Sequence, residues 1–235
     1  MKAFLKQGDK QLAKPLRRGR HGLSAERVAT SQRVRLLVSM THCVGTQGYG
    51  AVTIENVTTQ ADVSKKTFYA HFSSKEQCFS EAYKSFSEHL LDSIDTAYRD
   101  ASGPWFKRYE AGTRAYLATL EDQPVITRAL MIEVLAAGST LLAQRRAVLI
   151  RFAQQMHAIH QRAQAEDPAV APVDPRLFEI AVGGIDELVR NSLGTKEAGP
   201  LGDLSTLIVL NFCRLLSKAE RSQTEVQQAG RSRRR

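Results

Sequence analysis

The chain has 235 residues, a formal net charge of +9 and a hydrophobic fraction of 43%, so it is long enough to bury a sizeable core. No stretch reaches the roughly 18–20 uncharged apolar residues that a membrane-spanning helix needs, and the start of the chain lacks the long apolar run of a signal peptide. The three cysteines are widely separated, match no metal-ligand spacing and are typical of a reducing, cytoplasmic environment.

The positive charge is concentrated at the two ends of the chain. Residues 1–80 carry thirteen Lys or Arg against five Asp or Glu, and residues 221–235 carry five Arg against one Glu. The middle of the chain is therefore mildly acidic. A localised basic segment of this kind favours a polyanionic partner, with nucleic acid ahead of an anionic membrane surface.

The first 23 residues predict a flexible basic arm. They contain seven Lys or Arg and are interrupted by Pro15, Gly19 and Gly22. Such a segment has too little apolar surface to offset the entropy that is lost when it is ordered. The same argument predicts a disordered basic tail over residues 221–235, whose role the sequence leaves open.

A first helix is expected after the arm. Ser24 and Ser31 are both suitable N-caps, and the pattern does not choose between them. Apolar residues then recur at helical spacing as far as Val44, and Gly48 is suited to end the helix.

Two short helices follow the first one. Thr53 is a good N-cap for the second helix, Asp62-Val63 predicts a tight turn, and Ser64 caps a third helix that ends near His71. Two short helices behind a longer one, all within about 45 residues, form the arrangement of a helix-turn-helix. In that motif the second short helix enters the major groove of DNA.

The third helix is too short to be stable alone, so its apolar residues Val63 and Phe68 must pack on the first two helices. Its polar residues are then left facing outward, and these are Lys65, Lys66, Thr67, Tyr69 and His71. Lysine can pair with guanine, while hydroxyl and imidazole groups suit phosphate oxygens. A fourth helix begins after Ser74, and its N-terminus with Lys75 beside it is a candidate phosphate site.

The rest of the chain predicts further helices and few strands. We expect the fourth helix to extend to a break at Gly103-Pro104. The later helices are expected near Trp105–Leu120, Val125–Ala137, Ser139–Ala165, Leu177–Leu193 and Leu204–Leu216. The fold class is therefore all-α with about nine helices. The expected units are the arm (1–23), a three-helix DNA-binding domain (24–73), a helical effector-binding and dimerisation domain (74–220) and the tail (221–235).

The run from Val63 to Glu76 reads VSKKTFYAHFSSKE, and it is preceded by Gly48-Tyr49 and by TIENV at residues 53–57. With these residues, the stretch from Arg33 to Tyr83 resembles the tetracycline-repressor (TetR) family of bacterial regulators, whose signature is close to VSxxTxYxHFxSKE. The resemblance covers about a fifth of the chain. It implies a DNA-binding domain followed by a helical domain that binds an effector and forms a dimer.

The resemblance also implies roles for particular residues. In the family the third helix reads the major groove, so Lys65, Lys66 and Tyr69 would lie next to the bases. The implied phosphate contacts are Thr53, Thr67, His71 and Lys75, and Ser64 joins the same interface as the cap of the third helix. The arm residues Arg17, Arg18 and Arg20 are expected to contact DNA mostly without sequence preference.

Three positions depart from the family pattern. Asp62 stands where a turn glycine is usual, although aspartate tolerates the left-handed conformation better than most residues. Thr58 replaces a common alanine. Lys66 replaces a common glycine or proline and adds charge beside the groove, so the operator sequence does not follow by analogy.

Most aromatic and long apolar residues beyond residue 100 are expected in the core, but a few should line an apolar effector pocket. The candidates are Trp105, Tyr109, Tyr116, Met131, Val134 and Phe178. Polar residues such as Arg114, Glu133 or Asp186 would stand at its edge. Gly183-Gly184 suggests a close helix approach, consistent with the last two helices pairing with those of a second copy.

One short recognition helix reads too few bases for specificity, so we expect a homodimer on a palindromic operator, with its recognition helices roughly 34–36 Å apart. The resemblance implies a repressor that a small molecule releases; an activator with the same DNA-binding parts is the alternative. We expect no metal or cofactor. The lack of acid, base, nucleophile and metal spacings argues against a helical enzyme with a vestigial DNA-binding end, and the arm lacks the apolar face of a membrane-surface protein.

Overall fold

The structure is a computed structural model that describes residues 24–194 and 199–216, and within these ranges it contains helices and no strands. The α-helices are α1 (Ala25–Gln47), α2 (Ile54–Ala61), α3 (Lys65–His71), α4 (Lys75–Asp100), α5 (Trp105–Glu121), α6 (Pro124–Met131), α7 (Ser139–Glu166), α8 (Arg176–Gly194) and α9 (Leu204–Leu216). Short 3-10 turns, Glu133–Ala136 and Leu201–Asp203, precede α7 and α9. The predicted all-α class is confirmed. The predicted basic arm and the tail lie outside the described residues.

Serine and threonine side chains start the first four helices. Ser24 accepts a hydrogen bond from the backbone of the first turn of α1, which settles the choice between Ser24 and Ser31. Thr53, Ser64 and Ser74 do the same for α2, α3 and α4. Each of these caps satisfies a backbone N–H that would otherwise lack a partner at the helix end.

The turns between these helices have the backbone that the sequence predicts. Gly48 ends α1 with a positive φ of 81°, and its N–H donates to the Val44 carbonyl. Asp62 ends α2 in the left-handed region, with φ 50° and ψ 53°. The buried side chain of Arg35 in α1 crosses to this turn, where its Nη1 donates to the Ala61 carbonyl at 2.8 Å.

The helices α1, α2 and α3 enclose a core that continues into the remaining helices. Phe68 of α3 and Phe72 just beyond it pack in the same cluster as Leu36 and Met40 of α1 and Phe79 of α4. This cluster extends without interruption to residues of α5, α6 and α7. A second cluster, built mainly from α5, α7, α8 and α9, fills the far end of the bundle.

The sixth helix differs from the sequence prediction. We expected one helix over 125–137, but α6 ends at Met131 and a 3-10 turn follows at Glu133–Ala136. The Glu133 carboxylate accepts hydrogen bonds from Arg128 and from the backbone N–H of Tyr49 beyond α1. These contacts hold Glu133 on the side of α1, and a sequence pattern does not report such a tertiary constraint. No helix in the described ranges is both long enough and apolar enough to cross a membrane.

Candidate nucleic-acid interface and internal cavity

The short helix α3 presents one buried face and one exposed face. Phe68 is fully buried, while the Tyr69 ring beside it is 58% exposed. Lys65 and Lys66 are exposed on the same side as Tyr69. The structure therefore brings together on one surface the three residues that the resemblance assigns to the bases, and Phe68 fixes the orientation of that surface against α1 and α2. We call Lys65, Lys66 and Tyr69 the recognition face.

Lys65 is paired within the protein. Its Nζ lies 3.0 Å from a carboxylate oxygen of Glu55 on α2, and both side chains are mostly exposed. An exposed pair of this kind contributes about 0.2–1 kcal/mol and is screened by salt. Lys65 can therefore exchange Glu55 for another acceptor at little cost.

The predicted phosphate-contacting hydroxyls take part in helix caps. The Thr53 hydroxyl lies 2.7 Å from Asn56 Oδ1, and Asn56 also accepts from the Thr53 backbone N–H at 2.9 Å. The Ser64 and Thr67 hydroxyls lie 2.9 Å apart. Thr53 and Ser64 are exposed, so their oxygens remain reachable, and the caps hold them at the starts of α2 and α3.

His71 closes α3 and is partly buried beside the Phe72 ring. Burial, assisted by the nearby Arg33 guanidinium, lowers the pKa of His71 below its ordinary value. His71 is therefore mainly neutral at pH 7. Arg33 itself lies over the Phe72 ring and pairs with Glu81 of α4.

Lys75 at the start of α4 is directed back into the protein. Its Nζ donates to the carbonyls of Tyr49 and Val52, each at 2.9 Å, and lies over the Tyr49 ring. Burial lowers the pKa of Lys75. An ammonium group has three N–H donors, so Lys75 ties α4 to the loop before α2 and keeps one donor.

A cavity of about 100 Å³ lies inside the bundle, and α4–α9 all contribute to its wall. Most of the lining side chains are aliphatic or aromatic. The polar ones are Tyr83, Ser87, Tyr98, Tyr109, Thr113, Tyr116, Gln155 and Asp186. An apolar cavity with a few polar groups has the character of a small-molecule site.

Three of the six predicted pocket residues line this cavity, namely Tyr109, Tyr116 and Met131. Trp105, Val134 and Phe178 are buried elsewhere in the two core clusters. The predicted edge residue Asp186 also lines the cavity, while Arg114 is exposed and Glu133 faces α1. Sequence reasoning sought pocket residues only beyond residue 100, so it missed the contributions of α4, which are mainly Tyr83, Phe86, Leu90 and Ile94.

Asp186 of α8 is a buried carboxylate in the cavity wall. It forms an ion pair with Arg145 of α7, and Nε of Arg190 lies 3.4 Å from the same oxygen. Burial raises the pKa of Asp186, and the two guanidinium groups oppose that shift. The charge of Asp186 is thus balanced within the protein.

Helix α6 contacts both the cavity and α1. Leu130 and Met131 line the cavity, while the Val125 carbonyl faces Gly45 of α1. The approach is so close that a Cβ built on Gly45 would lie 1.9 Å from the Val125 oxygen. Just after α6, the Glu133 carboxylate lies 3.4 Å from the backbone nitrogen of Tyr49. A displacement of α6 therefore bears directly on the helix that supports α2 and α3.

The helices α8 and α9 carry large apolar side chains on their outer surface. Ile180 is 70% exposed, and Leu207 and Leu210 of α9 are also large exposed side chains. Nothing in the described chain lies within 4 Å of a Cβ built on Gly183 or Gly184. The close approach expected at these glycines is thus absent among the described residues of a single copy.

These features define an all-α protein with a helix-turn-helix near its N-terminus and an internal cavity behind it. Residues 41–82 match the sequence model of the bacterial regulatory proteins of the tetR family. Over 94 residues, 40% of the chain, it is 31% identical to the HTH-type transcriptional repressor DhaR of Mycobacterium sp. strain GP1. The chain spans about half (48%) of that relative's length.

Solved structures share the fold over most of the chain. FadR, the fatty acid degradation regulator of Bacillus halodurans, superposes with a TM-score of 0.70 at 15% identity, covering 77% of this chain and 94% of its own. FadR of Bacillus subtilis in complex with stearoyl-CoA gives a TM-score of 0.68 at 14% identity, covering 76% and 96%. The family match thus covers the N-terminal helix-turn-helix region, and the likeness to solved structures shows that the fold is shared over most of the chain.

Proposed function

We propose that the chain is a homodimeric transcriptional regulator that binds a palindromic operator through α3 and acts as a repressor in the cytoplasm. The observation that carries this proposal is the recognition face, exposed and cationic on a helix that Phe68 anchors in the core. A helix of this size fits the major groove, where lysine can bond to guanine. An activator would use the same surface, and the position of the operator relative to the promoter distinguishes the two.

Phosphate contacts would hold α3 in register on the duplex. Thr53 and Thr67 stand near the starts of α2 and α3, where the helix dipole favours an anion. Lys75 would give its remaining donor to a phosphate while it holds the loop before α2. The arm residues Arg17, Arg18 and Arg20 would add contacts that are strongly salt-dependent and carry little sequence preference.

The dimer would form through α8 and α9. Exposed large apolar side chains at Ile180, Leu207 and Leu210 are costly in a monomer and are typical of an interface that a partner covers. The open space at Gly183 and Gly184 would admit a helix of the second copy. Two copies related by a two-fold axis would place two recognition faces on one duplex.

A small molecule in the cavity would release the operator. FadR of Bacillus subtilis supports this step by analogy, since it is a transcriptional regulator of the same fold in complex with stearoyl-CoA. In this chain, α6 borders the cavity through Met131 and meets α1 at Gly45. A ligand that displaces α6 would move α1 and change the spacing of the two recognition faces. By linkage, operator DNA must then weaken ligand binding by the same factor.

Selection of bound duplexes from a random pool tests the proposal most directly. The full-length protein should retain sequences with two inverted half-sites whose centres lie about one DNA turn apart. Recovery of sequences without common half-sites, at a salt concentration that suppresses non-specific binding, would contradict operator recognition.

Charged substitutions on α8 and α9 test the proposed dimer interface. Ile180→Glu combined with Leu207→Glu should convert the dimer into a folded monomer, because two carboxylates would have to be buried without partners. Sedimentation equilibrium measures the mass, and Glu179→Gln on the same helix is the control. A dimer that persists in the double variant would place the interface elsewhere.

A further inference from the structure

The internal cavity has a size that limits what it can hold. Its volume is about 100 Å³, whereas an engineered apolar cavity of about 150 Å³ holds one benzene ring. The space therefore suits a molecule of about one ring after a small adjustment of the wall. A long acyl chain would need several of the six helices to move apart.

The charge in the wall is already paired. Among the lining residues in the described part of the chain, Asp186 is the one with a formal charge, and it is bound by Arg145 and Arg190. An anionic ligand would face this carboxylate with no cation in the wall to balance it. A cationic ligand would have to compete with two guanidinium groups. Burial of an unpaired charge is strongly unfavourable, so both kinds of ion are disfavoured.

Most polar groups of the wall are also engaged. The Ser87 hydroxyl donates to the Tyr83 carbonyl at 2.8 Å, and the Thr113 hydroxyl donates to the Tyr109 carbonyl at 2.9 Å. Gln155 Nε2 donates to a backbone carbonyl of α4 at 3.2 Å. These groups bond to helix backbone, so they offer a ligand little new hydrogen bonding.

The Tyr98 hydroxyl accepts a hydrogen bond from Arg108 at 3.4 Å, and the other tyrosine hydroxyls of the wall remain as hydrogen-bonding groups of the cavity. Burial raises the pKa of Tyr83 and of Tyr116, and the nearby Asp186 carboxylate raises both pKa values further. Both hydroxyls are therefore neutral across the physiological range. Tyr116 also stands edge-on to the Phe152 ring, so the two rings form an aromatic part of the wall.

We infer that this cavity binds a small, uncharged, mostly apolar molecule of about one aromatic ring, whose single hydrogen-bonding group meets the hydroxyl of Tyr116. The inference names the ligand class of the regulator proposed above and rests on that proposal only for its effect on DNA. The remainder of the ligand would contact apolar groups such as Phe86, Met131 and Phe152. Its affinity would come mainly from the burial of apolar surface.

Three probes of nearly equal size test the class, namely benzyl alcohol, benzoate and benzylammonium, and stearoyl-CoA is titrated as a fourth ligand of a different size. Each is titrated into the full-length protein without DNA, and binding is followed by calorimetry and by saturation-transfer NMR. We expect benzyl alcohol to bind at least about tenfold more tightly than either ion. Tighter binding of benzoate, of benzylammonium or of stearoyl-CoA would overturn the inference, and so would the absence of binding by all of them.

Two variants locate the site. Tyr116→Phe keeps the ring and should weaken benzyl alcohol binding by about fivefold, as expected for one neutral hydrogen bond. Asp186→Asn leaves Arg145 without its carboxylate and should strengthen benzoate binding at least about tenfold. Glu179→Gln removes the same charge from an exposed position of α8 and should leave the binding of every probe unchanged.

The comparison of probes on the native protein decides the inference even if Asp186→Asn fails to fold. Unchanged benzyl alcohol binding in folded Tyr116→Phe would overturn the assignment of the polar end. None of these measurements contains DNA, so a negative result would contradict the ligand class alone. Operator binding is tested separately by the duplex selection described above.

Discussion

The three N-terminal helices and the bundle behind them use buried space differently. In α1–α3 the helices are held by side-chain caps and by fully buried aromatic rings such as Phe68. In the bundle, α4–α9 surround a cavity and a partly buried ion pair between Arg145 and Asp186. A helix that must fit the rigid groove of DNA needs a densely packed core behind it, whereas a ligand-binding site needs a cavity. The comparison predicts that similar substitutions have different costs in the two regions.

The largest expected effect is the loss of an aromatic ring from the filled region. Phe68→Ala should lower the free energy of unfolding by about 3–5 kcal/mol and abolish operator binding, because α3 loses its anchor. Phe152→Ala, at the edge of the cavity and only partly buried, should cost roughly 1–3 kcal/mol. Urea denaturation at one fixed protein concentration measures the free energy of unfolding of both variants. An equal loss of stability in the two would contradict the proposed difference between the regions.

The second effect separates binding from stability. Lys65→Ala with Tyr69→Ala should cost operator binding about 1–3 kcal/mol for each lost base contact, while the free energy of unfolding changes by less than about 0.5 kcal/mol because both side chains are exposed. Gel-shift titration at fixed salt measures the affinity. Lys107→Ala, at an exposed position of α5, is the control. A double variant that keeps its specific affinity would show that α3 is not the reading element.

The third effect lies at the contact between the two regions. Gly45→Ala would place a Cβ against the Val125 carbonyl, and overpacking of this kind costs about 1–3 kcal/mol. Gly50→Ala is the matched control, because no atom lies within 4 Å of a Cβ at that position. Thermal denaturation compares the two variants, and operator affinity should fall only in Gly45→Ala. A Gly45→Ala protein with unchanged thermal stability and operator affinity would mean that α1 and α6 can move apart without cost.

The smallest effect concerns pH. Because the pKa of His71 is lowered in the free protein, its imidazole gains a proton only as the pH falls below about 6.5. A nearby phosphate would favour the charged form, so operator affinity should rise as the pH falls from about 7.5 to 5.5, by less than about 1 kcal/mol. His71→Gln should remove this increment, and His42→Gln, on the exposed surface of α1, should keep it. An identical pH dependence in both variants would exclude His71 as its source.

The sequence predicts the N-terminal region well because local chemistry determines it. Thr53, Ser64 and Ser74 each cap the helix that follows, and Gly48 and Asp62 adopt the positive φ that these turns need. Each of these signals acts over a few residues and can be read from the chain alone. The outward direction of the recognition face follows because Phe68 is the apolar residue of that helix.

The cavity could not be predicted in the same way. Periodicity identifies which side of a helix is apolar, but it does not give the distance between two apolar sides. Trp105 and Phe178 were therefore as plausible as Tyr109, and all three lie in the far core cluster, but of the three Tyr109 alone lines the cavity. The end of α6 was missed for a related reason, since Glu133 is held by a residue 84 positions earlier in the chain.

The continuity of the core across the start of α4 affects how such proteins can be recombined. Cys78, Phe79 and Tyr83 of α4 lie in the same cluster as Phe68 and Phe72. A chimera joined at residue 73 would leave those phenylalanines without the side chains that cover them. The transferred N-terminal segment would then be poorly folded. A junction beyond Tyr83 keeps this group of side chains together, so the exchangeable unit is longer than the recognition motif itself.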